Sequence, residues 1–228
     1  TLDGNGVEVK INIFEGKKVI IERINIVGNS VTNDSVIRGE MIVDEGDPFS
    51  ALLVNKSINE IKARRIFGAV NYKMLPGSSD DLKVLEINVE EQATGEIMAG
   101  AGVGTDGTSF QFAVSENNWL GRGVKLESSL NLSAEQISGN ILINNPNYKF
   151  TDKMLKAGFD VSSTDRSASS GFESSKTGFV IGTGFEQYED LFFTPEITLA
   201  FEEIEVDESA STSIKNMEGV FFNMDFMY

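Results

Sequence analysis

Gly102-Val-Gly104-Thr-Asp-Gly107 has the literal spacing of a dinucleotide-binding glycine loop. That chemistry needs a helix directly after the glycines, so that its N-terminus meets the pyrophosphate. The next residues, TSFQFAVS, alternate apolar and polar as a strand does. The spacing is present and the context is not. Acidic pairs stand at Asp80-Asp81, Glu202-Glu203 and Asp207-Glu208, without the ligand spacing of a calcium loop. Their types suit paired-carboxylate chemistry, but they read as solvated turn and loop charges. The chain contains no histidine and no cysteine. Ser-His-Asp catalysis, histidine-based zinc sites and thiolate sites are therefore outside its repertoire. The expectation is a protein that is not an enzyme and uses no cofactor and no metal.

The elements that carry these residues fall into two compositional regions. Residues 1–92 hold 11 basic and 15 acidic residues, and the remainder hold 8 and 20. Aromatics rise from four (Phe14, Phe49, Phe67, Tyr72) to seventeen across the same boundary. A formal net charge of −16 argues against nucleic acid as a partner. No apolar run reaches the roughly 18 residues of a membrane-spanning helix. The opening TLDGNGVEVKINIFEG reads as the middle of a longer chain.

The first region has an internal echo: VKINIFEG (9–16) resembles LEINVEEQ (85–92), with Ile11 and Asn12 matching Ile87 and Asn88 at an offset of 76. The spacing predicts that 1–16 is the tail of one domain copy and 17–92 a whole copy. Within it, VIIERINIVGN (19–29) is a strand stopped by Gly28-Asn29. Thr32 and Asp34 are candidate caps for a short helix carrying Val36, Ile37 and Met41. Ser50 caps a longer one to about Arg65, with Val54, Ile58 and Ile61 on one face. Strands at 69–75 and 82–90 flank the PGSSDD turn. The predicted order is β-α-α-β-β, an α+β domain with an open sheet edge. Edges pair with extended peptides, and the strand Val70, Asn71, Tyr72, Lys73, Met74 and Leu75 is the candidate.

From residue 93 on, the period is two. GEIMAGAGVG (95–104) sends Ile97, Ala99, Ala101 and Val103 one way and Gly100, Gly102 and Gly104 the other. About eight segments alternate in this manner, ending with Val220, Phe222, Met224, Phe226 and Tyr228 on one face. Each is near the ~10 residues a tilted strand needs to cross a bilayer. Short turns (TDG, TDK, QYED) are set against longer polar loops at 166–176 and 206–213, as on the two sides of an outer-membrane barrel. Trp119, Tyr148, Tyr188 and Phe192 stand near strand ends, the place of an interfacial girdle. A water-soluble sandwich also alternates, but there the apolar sides meet in one core; here the polar side holds lysines and glutamates and the apolar side is nearly continuous.

INIVGNSVTNDSVIRGEM (24–41), EGDPFS (45–50), ARRIFGAV (63–70), INVEEQATG (87–95), ENNWLGRG (116–123) and NNPNY (144–148) occur in that order around a glycine-rich strand. Together they resemble the outer-membrane β-barrel assembly (BamA) family over almost the whole chain. The resemblance implies that 17–92 is the last POTRA domain, in the periplasm. It implies that 93–228 is the N-terminal half of an antiparallel transmembrane β-barrel, a partial barrel in the outer membrane, and that 1–16 closes a preceding POTRA domain. It further implies that unfolded outer-membrane proteins add at a lateral seam formed by the first barrel strand: Ile97, Met98, Ala99, Gly100, Ala101, Gly102, Val103 and Gly104. Accessory assembly lipoproteins and outer-membrane lipid are the other implied partners, with Arg38 and Glu40 as possible lipoprotein-docking residues. Gly39 departs from the arginine often found before the Glu-Met pair. Small residues at 99–104 suit such a seam, since pairing there rests on replaceable backbone hydrogen bonds; the same glycines would also relieve crowding inside a barrel. Three other readings stay open: a two-partner-secretion or related translocation pore of the same superfamily, an outer-membrane enzyme with a short barrel, which predicts clustered ionisable residues inside the wall, and a small passive barrel in which 220–228 pairs with the first strand.

Overall fold

The computed structural model describes residues 10–12, 17–104, 107–189, 191–207 and 215–227. Of 1–16, only Lys10, Ile11 and Asn12 are described, in no regular element, so the expected tail of a preceding domain lies outside the described residues.

In the first region, strand β1 (Ile20–Val27) is followed by α1 (Asp34–Arg38) and α2 (Ala51–Ala63), then β2 (Phe67–Pro76) and β3 (Leu82–Glu91). β3 is central, parallel to β1 and antiparallel to β2. The predicted order is therefore observed, and β2 lies at an edge. Val54, Ile58 and Ile61 of α2 recur at helical spacing and are all buried, closing over Ile21, Ile24, Val70, Leu85 and Ile87. Burying each such side chain is worth about 1.5–3 kcal/mol, and the cluster draws only on residues 21–89. The Ser50 hydroxyl accepts from Leu53 N at 3.5 Å and caps α2 as expected. Ser57, fully buried, donates to Leu53 O at 3.0 Å and accepts from Ile42 N at 2.9 Å, pinning the segment after α1 onto α2.

The cap of α1 differs from expectation. Asn33 occupies the N-cap without a side-chain hydrogen bond. Asp34 instead pairs with Arg38 at 2.9 Å, and the Thr32 side chain is taken by a residue eighty-six positions away, Asn118. A side chain with two possible uses goes to the buried partner, where an unmade hydrogen bond costs most.

Eight strands follow: β4 (Gly95–Gly104), β5 (Gly107–Trp119), β6 (Val124–Ser133), β7 (Gln136–Asn145), β8 (Lys153–Arg166), β9 (Phe172–Tyr188), β10 (Leu191–Val206) and β11 (Met217–Met227), with a four-residue helix α3 (Ser167–Ser170) between β8 and β9. Each pairs antiparallel with its chain neighbours, in the order β11 to β4. β4 and β11 are at opposite edges, so the closure that a small passive barrel requires is not formed among the described residues; Tyr228 lies outside them. β8, β9 and β10 have 14, 17 and 16 residues, longer than the expected ten.

Cross-strand register assembles one apolar face. Ala99 opposes Phe112, Phe112 opposes Leu130, Ile141 opposes Phe159, Phe159 opposes Phe179, Phe179 opposes Leu199, and Leu199 opposes Phe222. These large side chains stay exposed: Phe179 at 58% and Phe222 at 61%. So wide an apolar face turned away from any protein core is a lipid-facing surface, not half of a sandwich. The opposite face carries ion pairs, Lys156–Glu196 and Lys176–Asp160, and the Ser129–Asn140 hydrogen bond.

The turns correct one expectation. β4 starts beside the first domain, so connections after β5, β7 and β9 share that near end, and those after β4, β6, β8 and β10 share the far end. TDK and the described residues 187–189 of QYED are at the near end, but Gly107, the described residue of TDG, is at the far end, as are Arg166 and Val206, which lead into the long loops. Turn length alone does not label a side; strand parity does. The glycine motif is the β4–β5 hairpin, with Gly104 opposite Gly107, and its Thr105 and Asp106 lie outside the described residues.

Candidate functional site

β4 pairs with β5 in unbroken register from Gly95–Glu116 to Gly104–Gly107 and has no strand on its other side among the described residues. All ten of its residues are exposed, Ile97 at 80% and Val103 at 86%. A Cβ added at Gly100 or Gly104 would meet nothing within 4 Å, and one at Gly102 would only touch Ser109 Oγ. Elsewhere on the same face the glycines are covered: Gly178 by Asp160, Gly182 by Glu196, Gly158 by Leu142 and Val180. Gly182 is the gap over which Lys156 of β8 reaches Glu196 of β10. The glycines of β8 and β9 thus relieve crowding, and those of β4 leave a bare ribbon with free backbone groups along one side.

The second expected edge, β2, presents alternate environments. Val70 is buried, Tyr72 and Met74 pack on the core, Leu75 is half-buried, and Asn71 and Lys73 face solvent. Among the described residues no strand pairs with it on the side away from β3.

Arg38 and Glu40, close in sequence, are placed differently. Arg38 is partly exposed and is held by Asp34, Glu45 and the Ile24 carbonyl. Glu40 is turned toward the strands, paired with Arg64 at 3.5 Å with both side chains mostly sheltered. Burial pushes the Glu40 carboxyl up, opposed by the Arg64 guanidinium; burial likewise draws Arg64 down, opposed by Glu40. Arg64 also donates to Gly123 O at 2.6 Å.

These contacts belong to a joint between domain and strands. Glu91, the last residue of β3, accepts from Thr32 N at 2.6 Å, Ser30 Oγ at 2.7 Å, Ser30 N at 2.9 Å and Val31 N at 3.0 Å. Partial burial pushes its carboxyl up, but these donors outweigh it and bring the pKa down to about 2. The loop so held hands over to the first near-end turn. Asn118, buried, donates to Thr32 Oγ1 at 2.9 Å and accepts from Gly123 N at 2.7 Å, and Asn33 N donates to Gly121 O at 2.8 Å. Gly121 (φ 70°) and Gly123 (φ 62°) sit in the left-handed region, and a Cβ at either would collide, with the Val31 carbonyl oxygen or with Arg64 and Val36. The second near-end turn adds Asn147, which donates to Gly39 O at 3.1 Å. The linker itself is tied on both sides: Gln92 donates to the Ile66 and Arg65 carbonyls, and the Thr94 hydroxyl bonds Glu116.

Sequence reasoning assigned Glu91, Arg64, Asn118 and Asn147 no role. The signal was available in the segments INVEEQATG, ARRIFGAV, ENNWLGRG and NNPNY, each of which sends residues to this joint. What was missing was that they meet.

Residues 19–92 match the POTRA family, described as surface antigen variable number repeat. The outer membrane protein assembly factor BamA of Nitratidesulfovibrio vulgaris is 32% identical over 121 residues, covering 51% of this chain and 15% of the relative. The chain thus spans a minor part of that protein's length. Among solved structures, BamA from Haemophilus ducreyi lacking POTRA domains 1–3 superposes with a TM-score of 0.71 at 20% identity, over 92% of this chain and 43% of the other. CdiB from Escherichia coli superposes with a TM-score of 0.62 at 12% identity, over 92% of this chain and 42% of its own, so that protein shares the fold. A POTRA domain is thus locked to a meander of lipid-facing strands, and the chain is similar in both parts to the outer-membrane assembly factor BamA, with its POTRA domain in the periplasm and its strands in the outer membrane.

Proposed function

We propose that the protein assembles outer-membrane β-barrels, with β4 as the edge on which an incoming strand of an unfolded barrel protein pairs. One observation carries this reading: β4 offers a ten-residue backbone edge whose side chains, from Ala99 to Gly104, are almost all alanine and glycine. Pairing there is by main-chain hydrogen bonds, which accept any substrate sequence and are exchanged strand for strand. No covalent step and no cofactor is involved. The β2 edge of the POTRA domain is a second, transient contact for extended substrate. Accessory lipoproteins dock on the periplasmic domain, where Arg38 stays accessible; Glu40, engaged with Arg64, supports the joint.

The test is a proline scan of positions 97 to 104 in the full-length protein, read by substrate-barrel assembly into vesicles. Proline removes one N–H at a time. In an antiparallel strand, N–H groups point alternately to the two neighbours. Assembly lost at every second position, with the protein itself still folded, is the expected result. Full assembly at all eight positions would dismiss β4 as the acceptor. Vesicle leakage of large solutes without barrel insertion would favour the translocation pore.

A further inference from the structure

A cleft of about 440 Å³ opens where the POTRA domain meets the first two periplasmic turns. Its walls include Arg122 and Lys149 from the turns, Val124 and Asn145 from the strand ends, and Phe150. Val124 lies on the same side of β6 as Leu130, and Asn145 on the same side of β7 as Ile141 and Ile143, all in the lipid-facing set. Trp119 pairs with Val124 on that side, and Tyr148 directly precedes Lys149. The cleft therefore opens at the level of the periplasmic aromatic girdle, toward lipid and away from the barrel interior.

Its charge is unusual for this chain. The protein as a whole carries −16. Yet Arg122 and Lys149 are both exposed, and neither has a carboxylate within ion-pair distance among the described residues. Lys149 rests over the Tyr148 ring at 5.3 Å. The third cation of the cleft, Arg64, is engaged by Glu40, and Asp152 lies near enough to Glu40 to raise its pKa. Glu60 lies near Glu40 as well, but of the charged residues only Glu40, Arg64, Arg122 and Lys149 line the cleft, so its walls keep a net positive charge. Asn145 adds an amide donor to the walls, while Asn147 is engaged by the Gly39 carbonyl and Glu40.

We propose that this cleft binds the phosphate of an anionic glycerophospholipid from the periplasmic leaflet, with Arg122 and Lys149 as the phosphate ligands and Phe150 and Val124 against the start of the acyl chains. Guanidinium and ammonium groups at a membrane surface attract anionic lipid, each contributing roughly fivefold in local enrichment. A bound headgroup there bridges the POTRA domain and the barrel rim and holds the two at a fixed tilt to the membrane plane.

The full-length protein is placed in vesicles of phosphatidylcholine with a minor share of phosphatidylglycerol, one or the other carrying a diazirine close to the headgroup. Adducts are mapped to peptides spanning 119–125 and 146–153. The expected yield per lipid is at least about fivefold higher for phosphatidylglycerol. It falls to the phosphatidylcholine level in Arg122→Gln/Lys149→Gln and persists in Arg122→Lys/Lys149→Arg, with heat-modifiable migration showing that both variants are folded. Equal yields for the two lipids, or a preference untouched by the double glutamine variant, would overturn the proposal. A preference that inorganic phosphate removes and chloride of matched ionic strength does not would assign the cleft to free phosphate and overturn the lipid source.

Discussion

Replacing Glu91 by Gln tests whether one carboxylate holds the POTRA loop against the barrel. Glutamine keeps the volume but brings an NH2 group toward backbone N–H donors, so part of the hydrogen-bond set at Ser30, Val31 and Thr32 is lost. The fall of the carboxyl from 4.5 to about 2 corresponds to about 3 kcal/mol at most. Glu91 is only partly sheltered, and screening reduces this to about 1–2 kcal/mol. Amide exchange at Ser30, Val31 and Thr32 in the full-length protein should then quicken by roughly five- to thirtyfold at neutral pH. The sign of the pH dependence is fixed by the lowered value. The contribution is complete above 4.5 and disappears as pH falls toward about 2. After correction for intrinsic rates, wild-type protection should decline through that window and converge on the glutamine variant, which stays flat. Identical exchange in the two proteins at neutral pH would show that the loop is held by its other contacts and that the carboxylate is incidental.

Asn118→Ala removes a buried bridge and leaves the Gly123 N–H and Thr32 hydroxyl without it, at about 2–3 kcal/mol; distance distributions between spin labels on the POTRA domain and the barrel should broaden. Gly121→Ala forces a side chain into the left-handed region and against the Val31 carbonyl, and the same labels should report separation of turn and loop. Arg64→Met should destabilise the joint by several kcal/mol because it strands Glu40 in a sheltered site, and Arg64→Met/Glu40→Gln should recover part of that loss in urea unfolding of the joint. Gly158→Ala should destabilise the folded barrel by about 1 kcal/mol through contact with Val180 and Leu142, read as a lower folding yield in detergent, while Gly100→Ala leaves that yield unchanged.

The strand content of the second region was legible because period two is local: each pleated residue faces one of two media, whatever its distant partners are. Phe110, Phe112, Phe159, Phe179 and Phe222 were placed on the correct face by counting alone. The β-α-α-β-β order was legible for the same reason, with 3.6-residue spacing and the Ser50 cap marking α2. The sequence also determined that β4 would be nearly bare of bulky side chains. Only tertiary structure decided that β4 has a neighbour on one side alone among the described residues, that Gly107 sits at the far end, and that Thr32 is claimed by Asn118 rather than by its own helix. Those outcomes depend on pairing between residues tens of positions apart. Glu91, Arg64, Asn118 and Asn147 look like ordinary polar turn residues until the chain brings them together, because a polar group's role is set by which donors and acceptors remain once water has been excluded around it.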